Sequence, residues 1–216
     1  MTALSNSPKL LKGGIVLIDP ITSSVRRIIA LQYNPDSISR TLQVQGAGGE
    51  SGDRSEALRL KGPPVETIKV EAEIDAIDQL EVADGIATQV GLHPQLAALE
   101  LIVYPTSAQL QSSNSLAQSG TLEIAPMESA LMLFIWSKQR IVPVRLTEFS
   151  ITEEAFDIAL NPIRAKISLS MRVLSVNDIG FAHKGGSLFM SYLQNKEQLA
   201  KKISSGALSA LGVNGF

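Results

Sequence analysis

The chain has 216 residues, 44% of them apolar and 19% charged, a balance that suits folding around a core and excludes disorder over most of the length. Nineteen basic and 21 acidic residues leave a net charge of −2 and an isoelectric point near 5.7, so no phosphate-binding surface is expected and nucleic acid is excluded as a partner. There is no cysteine and there are only two histidines, which excludes disulfides, thiolate sites and a histidine-rich metal centre within one chain.

The opening reads as a β-hairpin. Ile15–Ile18 is a short apolar run, Asp19-Pro20 and Thr22-Ser23-Ser24 supply turn chemistry, and Val25–Tyr33 returns as a second β-rich run closed by Asn34-Pro35-Asp36. Thr41–Gln45 alternates as a half-exposed strand, and the Gly-rich segment 46–56 reads as a flexible loop. From Glu66 to Asp75, Ile68, Val70, Ala72 and Ile74 alternate with charged or polar residues, the signature of a strand with one buried and one wet face.

A helical section follows, with Ile77, Leu80, Ala83, Ala87 and Val90 spaced as one apolar stripe. Gly91 breaks it, and Pro94 starts a helix that runs to Pro105. Residues 106–125, rich in Ser, Gln, Asn and Gly, read as an extended surface loop. Three strands come next. Leu131–Trp136 is continuously apolar and expected to be deeply buried. Arg140–Ile151 carries Val142, Val144 and Leu146 on one face. Ile163–Val173 alternates again, with Arg164, Lys166 and Arg172 on its polar side. After Asn177, Gly185-Gly186 reads as a hinge before a helix over Ser187–Ser204. The expected organisation is a β-domain over residues 9–177 and a C-terminal helical extension over 178–216.

Catalytic and cofactor chemistry finds no footing. The run Gly46-Ala47-Gly48-Gly49-Glu50-Ser51-Gly52 is one place out of register for a dinucleotide fingerprint and lacks the Lys-Ser or Lys-Thr of a phosphate loop. Glu71, Glu73 and Asp75 share a strand face. Without histidine or aromatics to desolvate them, they read as a solvated face or a charged subunit contact opposite Arg164, Lys166 and Arg172. His93 precedes Pro94 at a helix start, His183 sits in the hinge, and Trp136 ends an apolar strand as a core residue. No cofactor, metal or enzymatic activity is expected. No apolar run of about 18 residues marks a transmembrane helix, and Met1–Lys12 shows no secretory pattern, so the chain is expected to be made and assembled in the cytoplasm without direct membrane insertion.

Several segments occur in a telling order: Ile29-Ala-Leu-Gln-Tyr33-Asn34-Pro35-Asp36-Ser37-Ile38 followed by Arg40; Leu58-Arg-Leu-Lys61-Gly62-Pro63-Pro64 leading into Glu66–Asp75; Leu131-Met-Leu-Phe134-Ile135-Trp136; Val144-Arg-Leu-Thr-Glu-Phe149; and Asn161-Pro162-Ile163-Arg164-Ala165 through Val173. Together they resemble the tube-type proteins of contractile injection systems, the phage-tail-like particles of bacteria. The resemblance spans about residues 10–177. It implies a mainly β fold of two packed antiparallel sheets, sandwich- or barrel-like, with a lateral helix. It also implies assembly into six-fold rings in which strands of neighbouring subunits join around a lumen. Closure of that kind removes the exposed edges that long alternating strands present.

Within that family, the helical tail and the two long polar segments favour a baseplate ring joining the inner tube to the central spike. The partners are then other copies of the chain and the tube, spike and baseplate proteins of the same particle. The inner tube protein itself is the near alternative, and a soluble β-domain binding an unknown ligand is the reading outside the family. Some baseplate relatives carry a C-terminal LysM module, for which residues 178–216 are too short. The expected subunit-interface residues are Glu71, Glu73, Asp75, Arg164, Lys166 and Arg172, the first three pairing with the last three across subunits to set register.

Overall fold

The computed structural model describes residues 11–46, 59–119 and 129–203, together with Gly206 and Leu211. The glycine-rich segment after Gly46 and the stretch 120–125 of the expected polar loop lie outside the described residues.

The chain opens with β1 (Gly14–Ile18) and β2 (Val25–Ala30), an antiparallel hairpin. Its turn forms because Asp19 Oδ1 accepts the Ile21 and Thr22 N–H groups at 3.0 and 2.8 Å, an Asx turn of the kind that aspartate makes cheaply. The Thr22 bond and the Arg26 guanidinium hold the Asp19 carboxyl well below the usual carboxylate range. Then come β3 (Ile38–Gln43) and β4 (Val65–Asp75). After four helices, β5 (Leu131–Ile135), β6 (Ile141–Phe156) and β7 (Pro162–Val173) complete the strands.

The mainly β architecture with accompanying helices is as expected, and the strands belong to one hydrogen-bonded sheet. Its order is β2-β1-β5-β6-β7-β4-β3 with antiparallel neighbours throughout, and among the described residues it does not close into a barrel. What was expected as two sheets is thus one continuous sheet, because β5 and β6 bridge the N-terminal hairpin to the β7-β4-β3 half.

Period-two alternation decides which face is buried. Ile68, Val70, Ala72 and Ile74 of β4, and Ala165, Ile167, Leu169, Met171 and Val173 of β7, all point into one apolar cluster with Phe134, Val142 and Val144. Each fully buried Ile or Leu there contributes about 1.5–3 kcal/mol. On β5, Leu131 and Leu133 point the other way, into a smaller cluster with Ile18, so this strand is covered on both faces as its unbroken apolar sequence requires. Trp136 stacks on Phe134, with centroids 6.1 Å apart, and packs on the core as expected.

The helical section departs from the single stripe. It breaks into α1 (Ile77–Glu81) and α2 (Gly85–Val90) at Ala83, whose φ is +51°. Asp84 then restarts the helix by accepting the Ile86 and Ala87 N–H groups. Gly91 ends α2 in the left-handed region, at φ +53°, with the Pro162 carbonyl where a Cβ would go. The next helix, α3 (His93–Glu100), starts with Pro in its first turn as anticipated but stops five residues before Pro105.

Residues 107–118 form a helix, α4 (Ser107–Gln118), where a loop was expected. The signal is Thr106-x-x-Gln109: the Thr106 hydroxyl accepts the Gln109 N–H and the Gln109 side chain accepts the Thr106 N–H, a capping box. All twelve α4 residues are exposed. Its four serines, asparagine and three glutamines cost the helix roughly 4 kcal/mol against alanine. Nucleation at a σ of about 10⁻³ adds about 4 kcal/mol more, and a good N-cap returns only about 1 kcal/mol.

The C-terminal helices are α5 (Val176–Ile179) and α6 (Lys184–Ala200). Gly185-Gly186 is part of the first turn of α6, not a hinge. A Cβ on Gly186 would lie 1.9 Å from the Gly180 carbonyl oxygen, so glycine is there for close backbone approach. His183 caps the helix, its Nδ1 accepting the Gly185 N–H at 3.0 Å.

Phe189 and Tyr192 carry α6 into the main core. Beneath it lies Glu66, only 4% exposed on the inward face of β4. Arg40 Nε donates to Glu66 Oε1 at 2.7 Å, Lys196 Nζ to Oε2 at 3.1 Å, and the Tyr192 hydroxyl to Oε1 at 3.2 Å. Arg40 also donates to the Tyr192 hydroxyl, and Lys196 sits 4.0 Å above that ring. Burial alone would raise the Glu66 carboxyl, but the Arg40 and Lys196 interactions outweigh it and hold the group below its ordinary value.

Candidate assembly surface

Five of the six charged residues singled out from the sequence, Glu71, Glu73, Arg164, Lys166 and Arg172, gather on one outer face within a single chain, and the sixth, Asp75, shares their strand phase but is buried. β4 and β7 are hydrogen-bonded neighbours, with Thr67 opposite Arg172, Glu71 opposite Ser168, Glu73 opposite Lys166, and Asp75 opposite Arg164. The expectation that these two strands pair across subunits is therefore corrected. Their alternating apolar faces feed one core, and the charge complementarity sets register inside the subunit.

The ion pairs follow a slightly different pattern from the register. Arg164 Nε reaches diagonally to Glu73 Oε1 at 3.1 Å. Lys166 turns away from Glu73 to Glu154 on β6, at 2.9 Å, and that partner raises the Lys166 ammonium above its ordinary value. Arg172 pairs with Asp178 of α5 at 2.6 Å. Asp75 is buried and accepts the Ile77 N–H at 3.1 Å. Partial burial and the nearby Asp75 carboxylate push the Tyr33 phenol up.

The sequence reading missed the third row of this face. On β6, Glu148, Ser150, Thr152 and Glu154 lie opposite Ser170, Ser168, Lys166 and Arg164 of β7. A bulge at Thr147, whose hydroxyl donates to the Ser170 carbonyl at 3.0 Å, shifts their phase and hides the alternation from a simple period-two count. Between the three strands lies a shallow hollow of about 310 Å³ lined by Glu71, Glu73, Lys166, Ser168, Ser150 and Thr152. Two of its charges, Glu73 and Lys166, pair with Arg164 and Glu154. Among the described residues no group of three or more His, Asp or Glu converges to hold a metal ion.

Edges matter as much as faces. β5 covers β6 only over Ile141–Val144. From Arg145 to Phe156, β6 has β7 on one side and, among the described residues, no strand on the other. β4 has a similar short gap beyond Val70, where β3 stops. There Gln32 Oε1 accepts the Asp75 N–H at 3.0 Å, and Asn34 ties the entering chain by accepting the Gly13 N–H and donating to the Leu11 carbonyl. The Gln32-Tyr33-Asn34-Pro35 segment thus blunts one edge, whereas the β6 edge stays long and open.

That open edge ends in a rigid tip. Asp157 accepts the Ala159 and Asn161 N–H groups at 2.7 and 2.8 Å and the Asn161 side-chain amide at 2.8 Å, bonds that lower its carboxyl pKa, Asn161 foremost. The same Asn161 amide donates to the Gln89 carbonyl and ties the tip to α2. Ala155 and Leu160 adopt left-handed φ values of +50° and +65°, a strained arrangement for residues with side chains. Phe156, Ile158 and Leu160 project from the tip into solvent.

No protein-family model matches the chain, and no curated protein does. Among solved structures it is similar to a chain from the tail of an empty GTA particle with C6 symmetry, at 13% identity over 75% of this chain and 90% of that one, with a TM-score of 0.29. A likeness at that level carries no argument about what this chain does.

Proposed function

We propose that the chain is a structural component of a contractile injection system, forming a hexameric baseplate ring that joins the inner tube to the central spike. The observation that carries this reading is the open edge of β6 from Arg145 to Phe156. A free edge of that length is a template for another strand, and ring closure is one of the few ways to remove it. The ordered segments around Tyr33-Asn34-Pro35, Glu66–Asp75 and Asn161–Val173 supply the family resemblance, and they correspond to the edge-blunting segment, the paired strands β4 and β7, and the anchored tip.

In this reading the charged outer face carrying Glu71, Glu73, Arg164, Lys166 and Arg172 lines the subunit seam or the lumen, with Asp75 buried at the end of β4. Because its ion pairs close within each copy, ring contacts come from backbone pairing and apolar surface rather than from salt bridges between copies. No helix among the described residues is long and apolar enough to cross a membrane.

The test is to tag the chain in its native host, purify under mild conditions, and identify and count what accompanies it. Recovery with sheath, tube and spike proteins at about one hexamer per particle is the expected result. Copy numbers that scale with tube length would instead make it the inner tube protein. Recovery alone, or with metabolic enzymes, refutes the assignment to such a particle.

A further inference from the structure

We infer that α4 is a contact-folded element that docks on a second copy of this chain. The inference rests on the ring reading above and extends it to a named segment. Every residue of α4 is exposed, and its composition disfavours a free-standing helix. Just ahead of it Leu101, Val103 and Tyr104 are exposed, as are Leu110 and Leu116 on the helix itself. A partner surface is what such a segment lacks.

The charge pattern says what kind of partner. From Leu101 to Ser119 there is no charged residue. Identical copies can bring this segment together, or lay it on one another, without the like-charge penalty that a charged helix meets in self-contact. The same neutrality gives it no electrostatic means of selecting a different protein. A weak, uncharged docking element works where local concentration is high, and copies held side by side in a ring supply that concentration. Each copy also displays apolar surface of its own to be covered, the tip residues Phe156, Ile158 and Leu160 among it.

The experiment is amide hydrogen exchange read by mass spectrometry on the purified full-length chain, with no other particle protein present. Samples span dilute monomer to the concentration at which light scattering reports an oligomer. In the monomer, exchange across residues 107–118 should run near random-coil rates while β4 and β7 stay protected. In the oligomer, exchange across α4 should slow at least about tenfold. The variant Leu110→Asp with Leu116→Asp should keep strand protection in the monomer and lose the concentration-dependent protection of α4. Protection of α4 in the dilute monomer overturns the inference, as does an oligomer in which α4 stays unprotected or gains protection only when other particle proteins are added. An oligomer with unprotected α4 leaves the ring reading standing, whereas a chain that stays monomeric at every concentration and in the native particle removes both.

Discussion

Glu66→Gln is the most informative single change in this chain, because it keeps the shape of a buried side chain and removes only its charge. The carboxylate is met by two cations and a phenol. A hydrogen bond to a charged group is worth about 1 kcal/mol more than a neutral one, so losing the ionic part of two such bonds suggests a cost of about 2 kcal/mol. That lies below the 3–5 kcal/mol typical of a broken buried pair, because the Arg40 and Lys196 side chains are 26% and 37% exposed and can recover water. For a chain of this size the melting temperature should fall by about 4–8 °C. The pH dependence gives the sharper check. Glu66 has a native pKa below its ordinary 4.5, so its contribution is complete above that value and is lost as pH falls through the lowered native pKa. Urea unfolding of both proteins, taken from about pH 7 towards pH 3, should show a stability gap that narrows with acid. Other carboxylates titrate equally in both proteins and cancel. An unchanged midpoint near pH 7, or a gap that stays constant into acid, would refute the claim that this carboxylate holds α6 to the sheet.

Three further outcomes are expected. Gly186→Ala, which drives a Cβ against the Gly180 carbonyl, should destabilise by about 3 kcal/mol or more. Gly85→Ala, where nothing lies within 4 Å, should be neutral or stabilising by about 0.5 kcal/mol; calorimetry separates the two, and equal effects would contradict the close-approach argument. Asp157→Ala should release the Ala159 and Asn161 amides to fast hydrogen exchange while β4 stays protected, and unchanged exchange at those two amides would mean that the carboxylate does not hold the tip. Reversing Arg164→Glu and Lys166→Glu together should leave the monomer folded, since these pairs are solvent-exposed and such pairs contribute little, and should leave ring assembly intact in sizing experiments, because both pairs close within each copy. Loss of rings from a folded double variant would show instead that these charges act between copies.

Much of the fold was legible because alternation is a local property. β4 and β7 could be read from Ile68–Ile74 and Ile163–Val173, and β5 from its unbroken apolar run. The partnership between β4 and β7 was not legible. Complementary charge says that two strands match, but not whether they belong to one chain, and four helices and two strands separate this pair in sequence. Glu66 was visible in principle, since it occupies the inward phase of Glu66, Ile68, Val70, Ala72 and Ile74, but nothing local predicts that its cations come from residues 40 and 196. The helix at 107–118 was lost to its serine-rich composition, although its capping box was written in Thr106 and Gln109. Gly185-Gly186 looked like a hinge because glycine signals freedom and tight approach alike.

The clasp on Glu66 also bears on how the chain is made. Glu66 and Lys196 are 130 residues apart in sequence, and at roughly 5–20 residues per second the ribosome needs on the order of ten seconds to travel between them. During that interval a nascent chain that closed β3 onto β4 would bury the Glu66 and Arg40 pair without the Tyr192 and Lys196 groups that complete it, leaving an apolar sheet face uncovered. α6, which emerges after β7, therefore acts as the keystone of β4. The sheet can become native only after Lys196 has left the exit tunnel, and truncation before Lys196 should yield a chain that a chaperone holds rather than a smaller folded domain.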